Sequence, residues 1–272
     1  MERLIIVRGG GDLATGTIYR LHQAGYHVLV LEVQQPLAIR RQVAFCQAIY
    51  DNEVEVEGVK ACRIEKLAQC QQVFAAGKIP VYIDEQGEAI QLLKPEIVID
   101  AILAKKNLGT NRQMAPLTIA LGPGFEASKD VDAVIETKRE HHLGRIYYQG
   151  SAIKNTGIPG VIAGYGKERV MHAPVHGLFQ PVRKIGDVVK KGEVLAHIQN
   201  EDGLHDVYAS LDGVLRGILQ PGLDIPQGLK IADIDPRLES ADHCTTISDK
   251  ARCISGSVLE VICRYEHLGG RL

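Results

Sequence analysis

Three consecutive glycines near the start of the chain best combine residue type and spacing for ligand chemistry. Gly9, Gly10 and Gly11 follow an aliphatic run and precede a helical pattern that ends at Gly25. At the N-terminus of a helix the dipole favours an anion, and a Cβ would keep a diphosphate away from the backbone N–H groups. The spacing therefore predicts a nucleotide diphosphate site formed by Gly9, Gly10, Gly11, Asp12, Leu13, Ala14 and Thr15.

Glu32 extends this pattern to the second predicted strand, His27–Val33. A carboxylate about 20 residues after a glycine turn accepts hydrogen bonds from a ribose in dinucleotide-binding units. Gly9 and Gly11 fit G-x-G, with Ala14 as the third small residue. The alternative interpretation is a tight turn between strand and helix that binds no ligand.

A second glycine turn follows the predicted buried strand Pro116–Leu121. Ligands of open α/β sheets bind outside the carboxyl ends of the strands, where such turns lie. The turn adds Gly122, Gly124 and Phe125 to the predicted ligand-binding residues.

Three arginines are the cations that we expect to meet phosphate oxygens, because guanidinium groups bind phosphate through paired hydrogen bonds. Arg40 and Arg41 lie in a predicted helix, Leu37–Tyr50, and Arg139 lies in the polar loop Lys138–Arg145. For that loop the alternative is a solvated segment that merely carries charges.

The elements that position these residues predict the fold class. Strand and helix patterns alternate through the first part of the chain, which is typical of a mainly parallel sheet. Residues 176–198 then align without a gap onto residues 212–234, with the G-D-x-V-x-x-G spacing of biotinyl and lipoyl domains. The hairpin at 199–206 lacks the lysine that would carry biotin or lipoate, so neither attachment is expected.

The resulting prediction is an α/β protein of three parts. An N-terminal Rossmann-like, nucleotide-binding parallel-sheet domain covers residues 1–165, and a lysine-less, biotinyl/lipoyl-like β barrel-sandwich domain covers 166–240. A C-terminal helical segment covers 241–272, with Ser248 as the expected N-cap of its helix.

Composition excludes several classes of partner. The chain has 31 basic and 33 acidic side chains and a formal net charge of -2, so we expect neither a nucleic acid nor a membrane partner. No apolar run approaches the roughly 20 residues of a membrane-spanning helix, and the first run is too short for a signal peptide. A cytoplasmic protein is therefore expected. The six cysteines form no C-x-x-C pair, and no metal site is predicted.

Motifs along nearly the whole chain resemble one family. RGGGDLATG, LAIRRQVAF, VEVEGV, GPGF, VIETKREHHLGR, the lysine-less repeat and TISDKAR resemble the YqeB family of selenium-dependent molybdenum hydroxylase accessory proteins. The resemblance implies a role in the maturation of a client molybdenum hydroxylase and no established reaction. Together with the glycine turn, it suggests a molybdopterin dinucleotide as the ligand, although NAD(P) would fit the same residues.

Two other functions stay open on the sequence. An NAD(P)-dependent oxidoreductase would need an acid/base group, and we find neither Tyr-x-x-x-Lys nor a positioned His–Asp pair. A non-enzymatic scaffold or chaperone would dock the client hydroxylase through the repeat. If sulfur or selenium is delivered, Cys46 and Cys244 are the first thiols to test. A homo-oligomer is also compatible with the sequence.

Overall fold

The computed structural model describes residues 4–155, 157 and 160–270. The chain divides into two units: Met1–Pro36, Ala44–Thr156 and Ile247–Leu272 form the first, and Leu37–Val43 and Gly157–Thr246 form the second. These limits differ from the predicted domains, because the C-terminal helix belongs to the first unit and a short segment near residue 40 to the second. No helix among the described residues has the length and hydropathy needed to cross a bilayer.

The first unit is built on one sheet. Within its described residues the strands are β1 (Leu4–Arg8), β2 (His27–Glu32), β3 (Glu53–Val56), β4 (Val59–Ile64), β5 (Ile79–Ile83), β6 (Ile97–Asp100), β7 (Leu117–Leu121), β8 (Ala133–Ile135) and β9 (Ile146–Tyr147). Their order in the sheet is β3-β4-β5-β2-β1-β6-β7-β8-β9. The helices of this unit are α1 (Asp12–Gln23), α2 (Ala48–Asp51), α3 (Cys70–Ala75), α4 (Glu88–Leu93) and α5 (Asp249–His267).

The central strands are continuous apolar runs because both faces of the sheet are covered. Every residue of β1 and β7 is buried, as is every residue of β2 after His27. Adjacent strands from β4 to β8 in the sheet order run parallel. Their carboxyl ends therefore meet at one edge, which we call the carboxyl edge.

The predicted fold class is wrong. The sheet is mixed and not a parallel Rossmann-like sheet, because β3 pairs antiparallel with β4 and β9 antiparallel with β8. The first pairing follows from a tight turn in which Glu57 and Gly58 both have positive φ, 48° and 81°. Helical crossovers are also scarce: between β6 and β7 the described chain forms only a 3-10 turn, Arg112–Met114.

The second unit is also not the predicted biotinyl/lipoyl barrel-sandwich. Its described residues form two antiparallel sheets of four strands each. The strands are β10 (Val170–His172), β11 (Gly177–Pro181), β12 (Val188–Val189), β13 (Val194–Asn200), β14 (Gly203–Tyr208), β15 (Gly213–Ile218), β16 (Asp224–Ile225) and β17 (Lys230–Asp235). The sheet orders are β10-β17-β15-β12 and β14-β13-β11-β16, so a strand from outside the repeat begins the first sheet.

The two copies of the repeat nevertheless form matching strands. β11, β12 and β13 of the first copy correspond in position to β15, β16 and β17 of the second. The short strand of each copy pairs with the other copy, since β12 pairs with β15 and β16 with β11. Each sheet of this unit therefore contains strands of both copies.

The predicted helix Leu37–Tyr50 is wrong over most of its length. The chain instead forms 3-10 turns at Arg41–Val43 and Phe45–Gln47, followed by the four-residue α2. Within the second unit, Ile218 donates its N–H to the carbonyl of Ile39 at 2.9 Å. The carbonyl of Ile39 therefore accepts a hydrogen bond from strand β15 and not from the N–H four residues later, as it would in a helix.

Helix α5 packs closely on α1, and its beginning is as predicted. The hydroxyl of Ser248 accepts the N–H of Ala251 at 3.2 Å and so caps the helix. A Cβ on Gly16 of α1 would lie only 2.7 Å from the Cβ of Ala251. Gly16, the last glycine of the GGGDLATG motif, is therefore required by the close packing of α1 and α5.

Candidate functional site

The predicted glycine turn lies at the carboxyl edge, directly after β1. Gly9 has φ of 93°, and its N–H donates to the carbonyl of Leu31 at 2.8 Å. A Cβ at this position would lie 2.9 Å from the carbonyl oxygen of Ala101, at the end of β6. Glycine is therefore required here by the approach of the neighbouring strand.

The carboxylate of Glu32 binds the backbone of the glycine turn. Its carboxylate accepts the N–H of Gly10 at 2.5 Å through Oε1 and the N–H of Val33 at 2.9 Å through Oε2. Burial raises the pKa of Glu32, while these two hydrogen bonds act in the opposite direction. The N–H of Gly10, which the sequence assigned to a diphosphate, is thus occupied by a carboxylate of the same chain.

The segment before α2 covers Gly10 from another side. Cys46 donates its N–H to the carbonyl of Gly10 at 2.9 Å, and Phe45 donates its N–H to Oγ1 of Thr15 at the same distance. Thr15 in turn donates to the carbonyl of Gly10 at 3.2 Å. A Cβ on Gly10 would meet the backbone nitrogen of Cys46 at 3.0 Å. Gly10 and Thr15 therefore hold this segment against the turn.

The first turn of α1 is the part of the predicted site that stays open. Gly11 is the N-cap, with φ of -64° and ψ of 180°, and offers no side-chain cap. Beyond its neighbours in the chain, a Cβ on Gly11 would meet no atom of the described residues within 4 Å. Gly11, Asp12 and Leu13 are partly exposed, whereas Ala14 is buried. The N–H groups that a helix leaves without intrahelical partners lie in this turn.

Lys250 lies beside this opening, in the first turn of α5. The side chain is half-buried, and burial lowers the pKa of Lys250, while the charge of Asp12 acts to raise it. Within the described part of the chain its ammonium group has neither an ion pair nor a hydrogen bond. The sequence offered no signal for this residue, because it is brought to α1 only by the packing of α5.

The second glycine turn lies at the same edge, after β7. Gly122 and Gly124 have φ of 82° and 110°. A Cβ on Gly122 would lie 2.5 Å from Oγ1 of Thr137, and one on Gly124 would lie 2.7 Å from the backbone nitrogen of Lys106. Phe125 is buried in an apolar cluster. These residues position the chain's own loops.

All three predicted phosphate-binding arginines have protein partners. Within the second unit, Arg40 donates to the carbonyls of His243 and Thr246, both at 3.2 Å, and Arg41 donates to that of Ile218 at 2.9 Å. In the first unit, Arg139 forms two hydrogen bonds to the carboxylate of Asp249, at 2.7 and 2.5 Å. These pairings join residues far apart in sequence, so no local pattern indicates them.

A buried polar relay at the same edge was missed by the sequence interpretation. Arg8, only 3% exposed, donates to Oγ1 of Thr110 at 2.6 Å, and Thr110 donates to Oδ2 of Asp100 at 2.6 Å. Arg8 and Asp100 are register partners at the ends of β1 and β6. Burial is the main cause that raises the pKa of Asp100. A signal existed, because each residue ends a buried aliphatic run.

The described residues contain no group of three or more His, Cys, Asp or Glu side chains placed to hold a metal ion. Cys46 and Cys244 are buried. Burial raises the pKa of both thiols, and for Cys46 the charges of Glu32 and Asp12 raise it further. The geometry therefore disfavours a reactive thiolate at either position.

Thiol labelling checks this arrangement. We expect iodoacetamide to modify Cys253 and Cys263, which are exposed, while Cys46 and Cys244 react only after unfolding. Peptide mass spectrometry of the native and the urea-denatured protein measures the difference. Rapid labelling of native Cys46 would contradict the buried environment and would restore the thiol-transfer hypothesis.

Comparison with known proteins adds one strong similarity. No protein-family model matches the chain. The chain is 49% identical over 268 residues to a protein of Escherichia coli (strain K12) named "Uncharacterized protein YqeB". The match covers 98% of this chain and 49% of YqeB, so the chain spans about half the length of that relative. The predicted relationship to YqeB is supported at this level.

Solved structures show weaker likeness. The ectoine utilization protein EutE (DoeB) from Ruegeria pomeroyi is 12% identical, with a TM-score of 0.28 and 85% of both chains covered. A succinylglutamate desuccinylase/aspartoacylase from Rhodobacter sphaeroides is 12% identical, with a TM-score of 0.27, and 80% of this chain and 62% of that chain are covered. TM-scores this low do not establish a shared fold.

Proposed function

We propose that this chain is an accessory protein in the maturation of a molybdenum hydroxylase, selenium-dependent or not. We further propose that it binds the diphosphate of a dinucleotide at the N-terminus of α1. The first part rests on the resemblance of the sequence motifs to the family, and the similarity to half of YqeB supports only the relationship to that protein. The second is supported by the geometry of the carboxyl edge.

The observation that carries the diphosphate site is the open first turn of α1. Gly11 places no side chain over the helix N-terminus, and among the described residues beyond its chain neighbours no atom lies within 4 Å of the position where a Cβ would be. The dipole of α1, together with the backbone N–H groups of its first turn, attracts an anion. Because Glu32 occupies the N–H of Gly10, the proposed phosphate contacts are the amides that follow Gly11.

The sheet order supports the same location. β1 lies between β2 and β6. After β1 the chain first adds β2 on one side of β1 and later adds β6 on the opposite side. In open sheets with parallel strands, ligands bind outside the carboxyl ends at such a reversal. The first turn of α1 begins at this point.

Lys250 supplies a cation at this opening, where the charges of Asp12, Glu136 and Asp249 act on it. A positive charge in the first turn of a helix is disfavoured by that helix's own dipole. A half-buried ammonium group without an ion pair is also poorly solvated. A bound phosphate would correct both, so we assign Lys250 as a phosphate contact in place of Arg40, Arg41 and Arg139.

The nucleoside end of the ligand would lie toward Glu32. Its two oxygens each accept one backbone hydrogen bond, and a carboxylate has about four acceptor positions. A ribose hydroxyl can therefore still donate to Glu32, as the sequence spacing suggests. Both a molybdopterin dinucleotide and NAD(P) carry the required diphosphate and ribose.

Identification of a co-purified ligand tests the diphosphate site. The chain is purified from cells that make molybdopterin, denatured, and the released small molecules are analysed by mass spectrometry. We expect a molybdopterin dinucleotide. Recovery of NAD(P) would favour the oxidoreductase function instead, and recovery of no nucleotide would favour the non-enzymatic scaffold and count against the site.

A genetic experiment tests the maturation role. In a strain that lacks the chain, we expect a molybdenum hydroxylase polypeptide at its normal level but with little activity, because the cofactor is not delivered in its finished form. Expression of the chain should restore the activity. Normal hydroxylase activity without the chain would refute the accessory role.

A further inference from the structure

We propose that residues 101–110, which we call the lysine loop, form a rigid cationic loop at the carboxyl edge, and that Lys105 and Lys106 bind phosphate groups of the ligand. The inference rests on the diphosphate site proposed above and adds to it the residues that grip the anion from the side of β7. None of these residues was a candidate from the sequence.

Both ends of the lysine loop are fixed by the buried relay. Asp100 precedes the loop and accepts both the hydroxyl of Thr110, at 2.6 Å, and the N–H of Ile102, at 3.2 Å. Thr110, the last residue, also accepts a hydrogen bond from Arg8. Near this end Asn107 donates to the carbonyl of Thr110 at 2.8 Å. The loop is therefore closed by hydrogen bonds among buried groups.

The middle of the lysine loop packs on the two glycine turns. A Cβ on Gly9 would lie only 2.9 Å from the carbonyl oxygen of Ala101 and 3.0 Å from Cα of Ile102. A Cβ on Gly124 would lie only 2.9 Å from the carbonyl carbon of Lys105 and 2.7 Å from the backbone nitrogen of Lys106. Both glycines have positive φ. The glycines thus bring the lysine loop against the ends of β1 and β7.

The backbone of the lysine loop is held in a conformation that side chains disfavour. Leu103 and Lys105 have φ of 60° and 63°, in the left-handed region. This conformation is disfavoured for residues with a side chain and persists only where surrounding contacts fix it. Here the contacts are those to the glycine turns and to the relay. The positions of the two lysines are therefore set before any ligand binds.

The side chains of Lys105 and Lys106 are exposed. Neither forms an ion pair or a side-chain hydrogen bond with any residue that the structure describes. Two cations that follow β8 do have ion-pair partners: Lys138 pairs with Glu140 at 2.6 Å, and Arg139 pairs with Asp249. At this edge the two adjacent lysines are thus available to an anion from outside.

Strand spacing places the lysine loop within reach of the same ligand. β1 and β7 are separated by β6 alone, so their ends lie roughly 10 Å apart, or two inter-strand spacings. This distance is comparable with the Debye length of about 8 Å at physiological ionic strength. Two ammonium groups on flexible stems can contact phosphate oxygens of a ligand whose diphosphate lies at α1.

Calorimetric titration of ADP into the full chain tests the proposal. We expect the double variant Lys105→Gln/Lys106→Gln to bind ADP about tenfold more weakly, with a smaller dependence of affinity on salt. The matched control is Lys190→Gln/Lys191→Gln, which removes the same charge from an adjacent lysine pair of the second unit. It should bind ADP within about twofold of the wild type. Lys105→Arg/Lys106→Arg keeps the charges and should keep most of the affinity.

The outcomes separate the two proposals. If the wild type binds ADP and the double glutamine variant binds it equally well, the lysine loop is refuted and the diphosphate site stands. If the wild type binds no ADP, the diphosphate site is refuted and the lysine loop with it. Because both lysine side chains are exposed, unchanged circular dichroism will show that a loss of affinity is not a loss of fold.

Discussion

Replacing Arg169 by methionine is expected to lower the free energy of unfolding by about 3–5 kcal/mol. In the second unit Arg169 is 5% exposed and forms two hydrogen bonds to the carboxylate of Asp233, at 3.0 and 3.1 Å. Methionine would fill the space of the side chain but would leave Asp233, itself 6% exposed, charged and without this partner. Urea unfolding followed by circular dichroism measures the change.

A second substitution separates the loss of the charge partner from the loss of packing. In Arg169→Met/Asp233→Leu the unpaired carboxylate is gone, and we expect most of the stability to return, since apolar replacement of a whole buried pair is often neutral. An equally large loss in the double variant would show that Arg169 stabilises the unit through other contacts, such as its hydrogen bond to the carbonyl of Ile234.

The second large effect concerns the helix pair of the first unit. Gly16→Ala should destabilise the protein by about 1–3 kcal/mol, because the added Cβ would lie 2.7 Å from the Cβ and 3.0 Å from the carbonyl of Ala251. Glycine-to-alanine changes inside helices are otherwise stabilising by roughly 0.5–1 kcal/mol. The sign of the change is therefore the informative quantity.

Gly256 is the matched control for this experiment. It lies inside α5, and a Cβ there would meet no atom within 4 Å in the described part of the chain outside the backbone of its own helix. Gly256→Ala should accordingly raise the free energy of unfolding, while Gly16→Ala lowers it. If both variants are stabilised, α1 and α5 do not pack as closely as described.

Local patterns predicted the elements that are fixed by their own sequence. The strand His27–Val33, the strand Pro116–Leu121 and the C-terminal helix with its Ser248 cap are found within a few residues of the expected limits. Each has a continuous apolar run or a helical period, and each is bounded by a glycine, a proline or a capping hydroxyl. Such signals lie within a dozen residues and do not depend on distant contacts.

The fold class depended on contacts that no local pattern reveals. The Glu57–Gly58 turn makes β3 and β4 an antiparallel hairpin, and the segment predicted as the helix Leu37–Tyr50 is divided between the two units. A helical period in that segment competes with hydrogen bonds to residues near position 218, which are far away in sequence. Tertiary contacts therefore decided both features against the local prediction.

The candidate site shows the same division. The position of the glycine turn, directly after a buried strand and before a helix, was predictable from spacing. The hydrogen-bond partners of the predicted site residues were not predictable. Glu32 accepts the N–H of Gly10, and the three arginines donate to other atoms of the protein. The cations that remain available, Lys250 and the lysine pair at 105–106, lie on elements that reach the site through packing alone.

A titration of ADP into the wild type, Gly11→Leu and Gly256→Ala tests the central claim most directly. Gly11 has an ordinary φ and open space around its Cβ position, so Gly11→Leu should still fold, at a cost of about 1 kcal/mol for the poorer N-cap, while its side chain covers the first turn of α1. We predict that the wild type and Gly256→Ala bind ADP alike and that Gly11→Leu binds it at least about tenfold more weakly. Equal affinity of Gly11→Leu and the wild type would contradict a diphosphate site at the N-terminus of α1.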